Sequence, residues 1–223
     1  MDTTPASPTR RQPWWRWVPI RRLRATDRAR IERHLLALGE RDRYLRFGYP
    51  ASDERIRHYA VSIDFGRDEV FGIFNRRLQL LAVSHLACAD LDEIGAAATQ
   101  RMAEFAVSVD ARARGRGYGA RLFDHAVRHA RNHGIDRLFI HALSENTAML
   151  RIARRAGAEL RSDGGETEAW LHLPPHSLLS QFQELLARQA TELNYQAKRG
   201  QRQCLHLMAW GRHLLMPDRA TSR

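Results

Sequence analysis

Apolar positions fall into short alternating runs and into longer runs spaced three and four apart. Residues 18–24 predict a first strand. Ile31, Leu35 and Leu38 then recur at helical spacing behind Thr26 and Asp27, either of which can cap that helix, and Gly39 closes it. Residues 41–50, RDRYLRFGYP, carry no clear period and read as a polar, aromatic connector. Ser52 caps a second helix, with Asp53 and Glu54 in its first turn and Ile56, Tyr59, Ala60 and Ile63 on its apolar face. Residues 70–74 and 78–88 read as strands joined at Asn75-Arg76-Arg77, and residues 90–100 as a loop. A strand over 103–109 runs into a helix that ends near His133, before Gly134. Residues 135–143 form another strand, and Ser144 caps a helix through about Ala156, stopped by Gly157. Residues 159–161 and 168–173 flank a turn at Asp163-Gly164-Gly165, and Pro174-Pro175 breaks the pattern. Leu178, Phe182, Leu185, Leu186 and Leu193 mark a C-terminal amphipathic helix, and residues 205–210 a short apolar patch.

This order predicts an α/β protein with a mixed central sheet and helices on both faces. The expected organisation is a basic, aromatic tail over 1–17, one domain over 18–175 and a helical extension over 176–223. Trp14, Trp15 and Trp17 suit a lead-in packed on the domain surface, or contact with a membrane interface or a nucleic-acid base. The C-terminal helix suits packing on its own domain or a homodimer contact.

Charge narrows the partners. The 223 residues carry a formal net charge of +11, and Lys198 is the only lysine among the cations. Such a chain accommodates anions: nucleotides, phosphates or an acidic surface. No recognition helix or zinc spacing speaks for nucleic acid. Cys88 and Cys204 stand in no motif, which argues against a disulfide framework and fits a reducing, cytoplasmic setting. No apolar run is as long as a membrane span.

Residues 103–122, AEFAVSVDARARGRGYGARL, carry the chemistry. Gly115, Gly117 and Gly119 remove side chains where a strand becomes a helix, so the backbone can approach a ligand and present free N–H groups. The helix start adds partial positive charge, and Arg112, Arg114 and Arg116 add full charges. Together they predict a diphosphate cradle. The spacing is G-x-G-x-G and falls mid-chain, unlike the first-unit fingerprint of a dinucleotide fold, and a P-loop lysine is missing. His125, His129 and His133 recur every four residues, a spacing compatible with metal. No cysteine or acid cluster joins them, so they read as a solvated helix face and no metal site is expected. His141 reads as a packed or hydrogen-bonded core residue.

The run Arg114, Gly115, Arg116, Gly117, Tyr118 and Gly119, followed by Ala120, matches R/Q-x-x-G-x-G/A over its first six residues. It resembles the acetyl-CoA pyrophosphate loop of the GNAT N-acetyltransferase superfamily. Asn146, with Gly157 eleven residues on, is similar to the second half of that family's pattern, with Ala158 where an aromatic is usual. The resemblance covers residues 18–173, and the chain is similar to stand-alone bacterial members and to the acetyltransferase domains of protein-lysine acetyltransferases. It implies a GNAT-like fold, acetyl-CoA as co-substrate, and transfer of acetyl to a primary amine of a small molecule or a protein lysine by direct attack. It implies that the backbone from Val107 to Val109 pairs with pantetheine, that the strand over 135–143 splays away, and that Asn146 contacts the cofactor. It also implies Glu104 as general base, where an ion pair with an arginine is the structural alternative. The family's usual general acid, a tyrosine, falls at Ala153, which leaves that role without an owner. An acyl-CoA-binding sensor or basic interaction module on the same fold is therefore the competing reading. The acceptor is implied to enter between residues 41–50 and the Asp163 turn. There Arg41, Arg43 and Arg46 suit an acidic acceptor.

Overall fold

A computed structural model describes residues 18–88 and 101–174. The tail over 1–17, the loop over 90–100 and the C-terminal helix, its dimer contact and the apolar patch lie outside the described residues. The strands are β1 (Ile20–Leu23), β2 (Glu69–Phe74), β3 (Leu80–Cys88), β4 (Met102–Val109), β5 (Arg137–Leu143), β6 (Glu159–Asp163) and β7 (Glu166–His172). The helices are α1 (Arg28–Leu36), α2 (Glu40–Phe47), α3 (Asp53–Ser62), α4 (Tyr118–Asn132) and α5 (Thr147–Arg155). The strands form one sheet in the order β1-β2-β3-β4-β5-β7-β6. Only β4 and β5 run parallel. The mixed α/β sheet expected from the pattern is what forms.

Strand alternation sorts the core into two layers. Ala103 and Phe105 of β4, Leu138, Ile140 and Ala142 of β5, and Ala169 and Leu171 of β7 pack against Phe123 and Ala126 of α4 and Leu150 and Ala153 of α5. Phe105 and Phe123 meet edge to face at 5.0 Å. On the opposite face, Leu23, Val70 and Val83 pack against Ile31 and Leu35 of α1 and Ile56 of α3. Glu104, Ala106 and Ser108 therefore point to the α1–α3 face, because their neighbours along β4 point to the other.

Four local expectations are corrected. Residues 41–50 are not a connector: Glu40–Phe47 is α2, with Gly39 at its N-cap rather than at the end of α1. No α2 residue is fully buried, so no apolar stripe could announce it. Asp27 stands at the start of α1, but its carboxylate holds Arg21 at 3.1 Å and Arg30 at 2.7 Å instead of a helix N–H. The cap of α5 is Asn146, not Ser144. The histidines of α4 are not a solvated face: His129 is 1% exposed and stacks on His133 at 3.9 Å, and His125 meets Phe71 at 4.6 Å. Ser52 does cap α3, accepting from the Arg55 N–H.

His34 of α1 is buried beneath the sheet. Its Nδ1 lies 3.2 Å from the Leu80 carbonyl and its Nε2 lies 3.0 Å from Ser108 Oγ. Burial pushes its imidazole below the ordinary value, against the opposing pull of the Leu80 carbonyl and Asp110. The unfolded chain therefore takes up this proton at a higher pH than the folded one. The His34 contribution is intact above pH 6.5 and is lost as the pH falls through the depressed folded value. Thermal melts from pH 7 towards 5 should show a His34 component whose slope approaches about 1.4 kcal/mol per pH unit, the single-proton limit. His34→Gln should flatten that stretch, and an unchanged slope would remove His34 as its source.

Candidate functional site

The candidate site lies where β4 and β5 part. Their register covers Met102 with Arg137, Ala103 with Leu138 and Glu104 with Phe139, and no further. From Phe105 to Val109, β4 keeps its antiparallel partner β3 on one side only. The edge facing β5 thus presents backbone groups with no strand opposite, as an added strand requires. The side chains of Val107 and Val109 pack towards α4 with Tyr118, so what these residues offer to the gap is main chain.

The chain leaves β4 through a short turn. Asp110 caps the 3₁₀ turn Ala111–Ala113 by accepting from the Arg112 N–H. The Arg112 guanidinium holds the Asp110 carboxyl below its usual range, against partial burial. Gly115 (φ 71°) and Gly117 (φ 74°) follow in the left-handed region, and a Cβ at either would meet nothing within 4 Å. Backbone conformation, not crowding, requires glycine there. Gly117 is the N-cap of α4 and has no side chain to close the helix, whose first turn bonds the Arg121 N–H to the Gly117 carbonyl. The N–H groups of Tyr118, Gly119 and Ala120 precede any helical acceptor. They form an anion-binding end on a helix of 15 residues.

The arginines of the cradle are less free than the charge count implies. Arg112 is tied to Asp110 at 2.8 Å, and Arg114 pairs with Asp42 of α2. Arg116 is exposed and joins no ion pair among the described residues. The helix end, the glycine backbone and Arg116 fit a diphosphate. The missing strand beside β4 fits an extended, amide-bearing arm. The donor set therefore suits acetyl-CoA.

Asn146 closes the far side. Its Oδ1 accepts from the Met149 N–H, and its Nδ2 donates to the Leu45 carbonyl at 3.3 Å, tying α5 to α2 over the gap. Gly157 ends α5, where the Ala158 N–H reaches back to the Ala153 carbonyl at 3.1 Å. Ala153 itself is fully buried in the core, so that position offers no hydroxyl to the gap. Glu104 stands where the strands part. It is exposed on the α1–α3 face, and no described arginine pairs with it.

The three arginines expected at a polar, partly cationic entrance are each hydrogen-bonded within the fold. Arg41 pairs with Glu145 at 3.3 Å. Arg43 reaches the Leu36 and Leu38 carbonyls and pairs with Asp53 at 2.6 Å. Arg46 donates to the Tyr59 hydroxyl. His141 is hydrogen-bonded as expected, to Glu166 at 3.1 Å, but its side chain is 41% exposed rather than part of the core. Asp42 and Leu45, which help hold this region together, lie on α2, where the spacing predicts a connector. Tyr59, which the spacing places on the apolar face of α3, adds a hydroxyl that accepts from Arg46. No group of three or more metal-ligating side chains occurs among the described residues. No described helix is long and apolar enough to cross a membrane.

No curated protein matches the chain. The fold is similar to the GNAT domain of S. lividans PAT, at 21% identity and a TM-score of 0.58, covering 69% of this chain and 89% of that one. It is also similar to a spermidine N-acetyltransferase from Vibrio cholerae in complex with CoA and spermine, at 16% identity and a TM-score of 0.53, covering 70% and 95%. Residues 40–158, more than half the chain, match the model of the Acetyltransferase (GNAT) family. They contain the parted strands, the glycine loop and the Asn146–Gly157 helix, and by that match the chain belongs to this family.

Proposed function

We propose that the protein transfers the acetyl group of acetyl-CoA to a primary amine. The observation that carries this reading is the parting of β4 from β5 after Glu104, directly ahead of a glycine loop and an uncapped helix start. In this reading the loop from Arg114 to Ala120 binds the pyrophosphate, through Gly115, Arg116, Gly117, Tyr118 and Gly119. The backbone of Val107 and Val109 binds the pantetheine arm, and Asn146 flanks it from α5. The bound thioester supplies an activated acetyl group. The protein aligns the amine with it and removes protons from the attacking nitrogen, because an ammonium has no lone pair.

Glu104 is the proposed general base. Its exposed carboxylate sits on the acceptor face of β4, where it can draw in an ammonium and take its proton directly or through water. Glu166 and Glu168 on β7 share that face with the aromatic pair Phe139 and Trp170, whose rings lie 4.4 Å apart. With Arg41 and Arg43 tied to carboxylates, this supports an amine acceptor that itself carries positive charge: a polyamine or a lysine in a peptide. The cytoplasm, where acetyl-CoA is made and used, is the proposed setting.

A thiol-release assay with acetyl-CoA over spermidine, free amino acids and lysine peptides tests the reading. Thiol should appear only when an amine is present, and the amine should gain one acetyl group by mass. Buried Ala153, which leaves the usual acid position without a hydroxyl, favours a second outcome. Tight acetyl-CoA binding with no thiol on any amine would make the protein a sensor. Absence of acetyl-CoA binding would remove the loop assignment.

A further inference from the structure

A hydrogen-bonded chain of four side chains crosses the acceptor face beside Glu104. Arg46 of α2 donates to the Tyr59 hydroxyl of α3 at 2.6 Å. That hydroxyl lies 2.7 Å from His85 Nδ1 on β3, and His85 Nε2 lies 3.0 Å from Asp68 Oδ2. The other Asp68 oxygen accepts from Arg67 Nε at 3.1 Å and from the Cys88 N–H at 3.3 Å.

With a neutral imidazole at His85, the hydrogens along this chain have one arrangement. Burial alone raises the Asp68 carboxyl, but His85 and Arg67 outweigh it and hold the group below its usual range. Asp68 is therefore an acceptor, and His85 Nε2 carries the hydrogen it accepts. In a neutral imidazole Nδ1 is then bare and accepts from Tyr59 O–H. Arg46 occupies one lone pair of the Tyr59 oxygen, which leaves the other. Tyr59 is only half-buried, and Phe47 holds its ring edge to face at 5.4 Å.

Position points the chain at the reaction. His85 lies opposite Ala106 of β4, so Glu104 is its diagonal neighbour on the same face. Ala106 is the second residue past the last β4–β5 pair. α2, which supplies Arg46, packs over β4 and β5 and is tied to Asn146.

We propose that Tyr59, backed by His85 and Asp68, is a second proton acceptor of the acetyl transfer, alongside Glu104. The inference rests on the transferase reading above. An attacking ammonium sheds two protons before it becomes an amide. The first passes to Glu104 and frees the lone pair. The nitrogen then bonds to the acetyl carbon and the C–S bond breaks. The second N–H bond breaks as its proton moves to the Tyr59 oxygen, while the hydrogen Tyr59 held moves to His85 Nδ1. The departing thiolate takes the proton held by Glu104, so no tyrosine is needed at position 153. The imidazolium left at His85 is held by Asp68 and releases its proton to water. Arg46 keeps the Tyr59 oxygen in place. Asp68 and His85 act through Tyr59 and are positioning residues.

The charged and titratable described groups that face His85 are Tyr59 from α3, Arg46 from α2, Asp68 and Arg67 from the segment before β2, and Glu104 from β4. The test uses the amine that the full-length protein acetylates fastest. Tyr59→Phe keeps the ring and removes the hydroxyl. It should lower kcat by about 10- to 100-fold and leave KM for acetyl-CoA within about twofold. His85→Asn should change the shape of the kcat–pH profile. A second readout needs no acetyl-CoA: ¹⁵N spectra of the imidazoles should show His85 bare at Nδ1 and protonated at Nε2, and Tyr59→Phe should shift the Nδ1 signal. An active wild type with unchanged kcat and pH profile in Tyr59→Phe would overturn the relay alone, as would an Nδ1-protonated His85. A wild type that binds acetyl-CoA and acetylates no amine would remove the transferase reading and the relay with it.

Discussion

Gly117→Glu should abolish measurable acetyl-CoA binding while leaving the fold intact. Two effects add. At φ 74° an L side chain is strained, at roughly 1–2 kcal/mol. The new carboxylate then sits at the start of α4, where the diphosphate is proposed to bind. Two unit charges of like sign about 4 Å apart repel by about 4 kcal/mol at an effective dielectric of 20. The sum, about 5 to 6 kcal/mol, corresponds to a loss of about 10⁴-fold in affinity. Because a Cβ there meets nothing within 4 Å, the substitution creates no clash in the protein itself. Gly117→Ala separates the terms: it carries the strain alone and should weaken binding by about tenfold. Calorimetric titration with CoA reads both, and a Gly117→Glu protein that binds within about tenfold of wild type would place the diphosphate elsewhere.

Glu104→Gln carries the second large effect. The amide keeps the size and hydrogen-bonding reach of the carboxylate but cannot take a proton near neutral pH. Turnover should fall by about 10²- to 10³-fold, within the range of general-base contributions, with CoA affinity unchanged. The side chain is exposed at the strand surface, so the melting midpoint should hold. Steady-state kinetics at saturating acetyl-CoA checks the first point and calorimetry the second. Turnover equal to wild type would take Glu104 out of the chemistry.

How much of this was legible depends on what each segment buries. The strand–loop–helix at 103–122 could be read because three signals coincide in consecutive residues: alternation, glycines and arginines. The chain expresses them locally, and the structure keeps them local. α2 could not be read. ERDRYLRF buries no residue fully, so its helical period has no hydrophobic trace. It is held instead by Arg114 with Asp42, Asn146 with Leu45 and Arg46 with Tyr59, all partners distant in sequence. Arg41, Arg43 and Arg46 count as independent charges in the sequence, but on α2 each is hydrogen-bonded to a side chain outside that helix. The α4 histidines failed for the opposite reason. Their spacing is that of an exposed face, but β2 presents Phe71 and Glu69 to them, and imidazole packs against an aromatic ring as readily as it faces water. The network of Tyr59, His85 and Asp68 spans three elements and leaves no spacing to read.

Seven strands share one sheet, yet its two sides are joined at the centre by three residue pairs. Main-chain groups from Phe105 to Val109 lack on that flank the cross-links that every other strand pair supplies along its length. A ligand that lies there in extended form completes the sheet as it binds. Its free energy of binding then adds directly to the resistance of the domain to unfolding, by about 2.7 kcal/mol at a hundred times the dissociation constant. Resistance of the domain to proteolysis should accordingly rise with the concentration of any ligand that binds there.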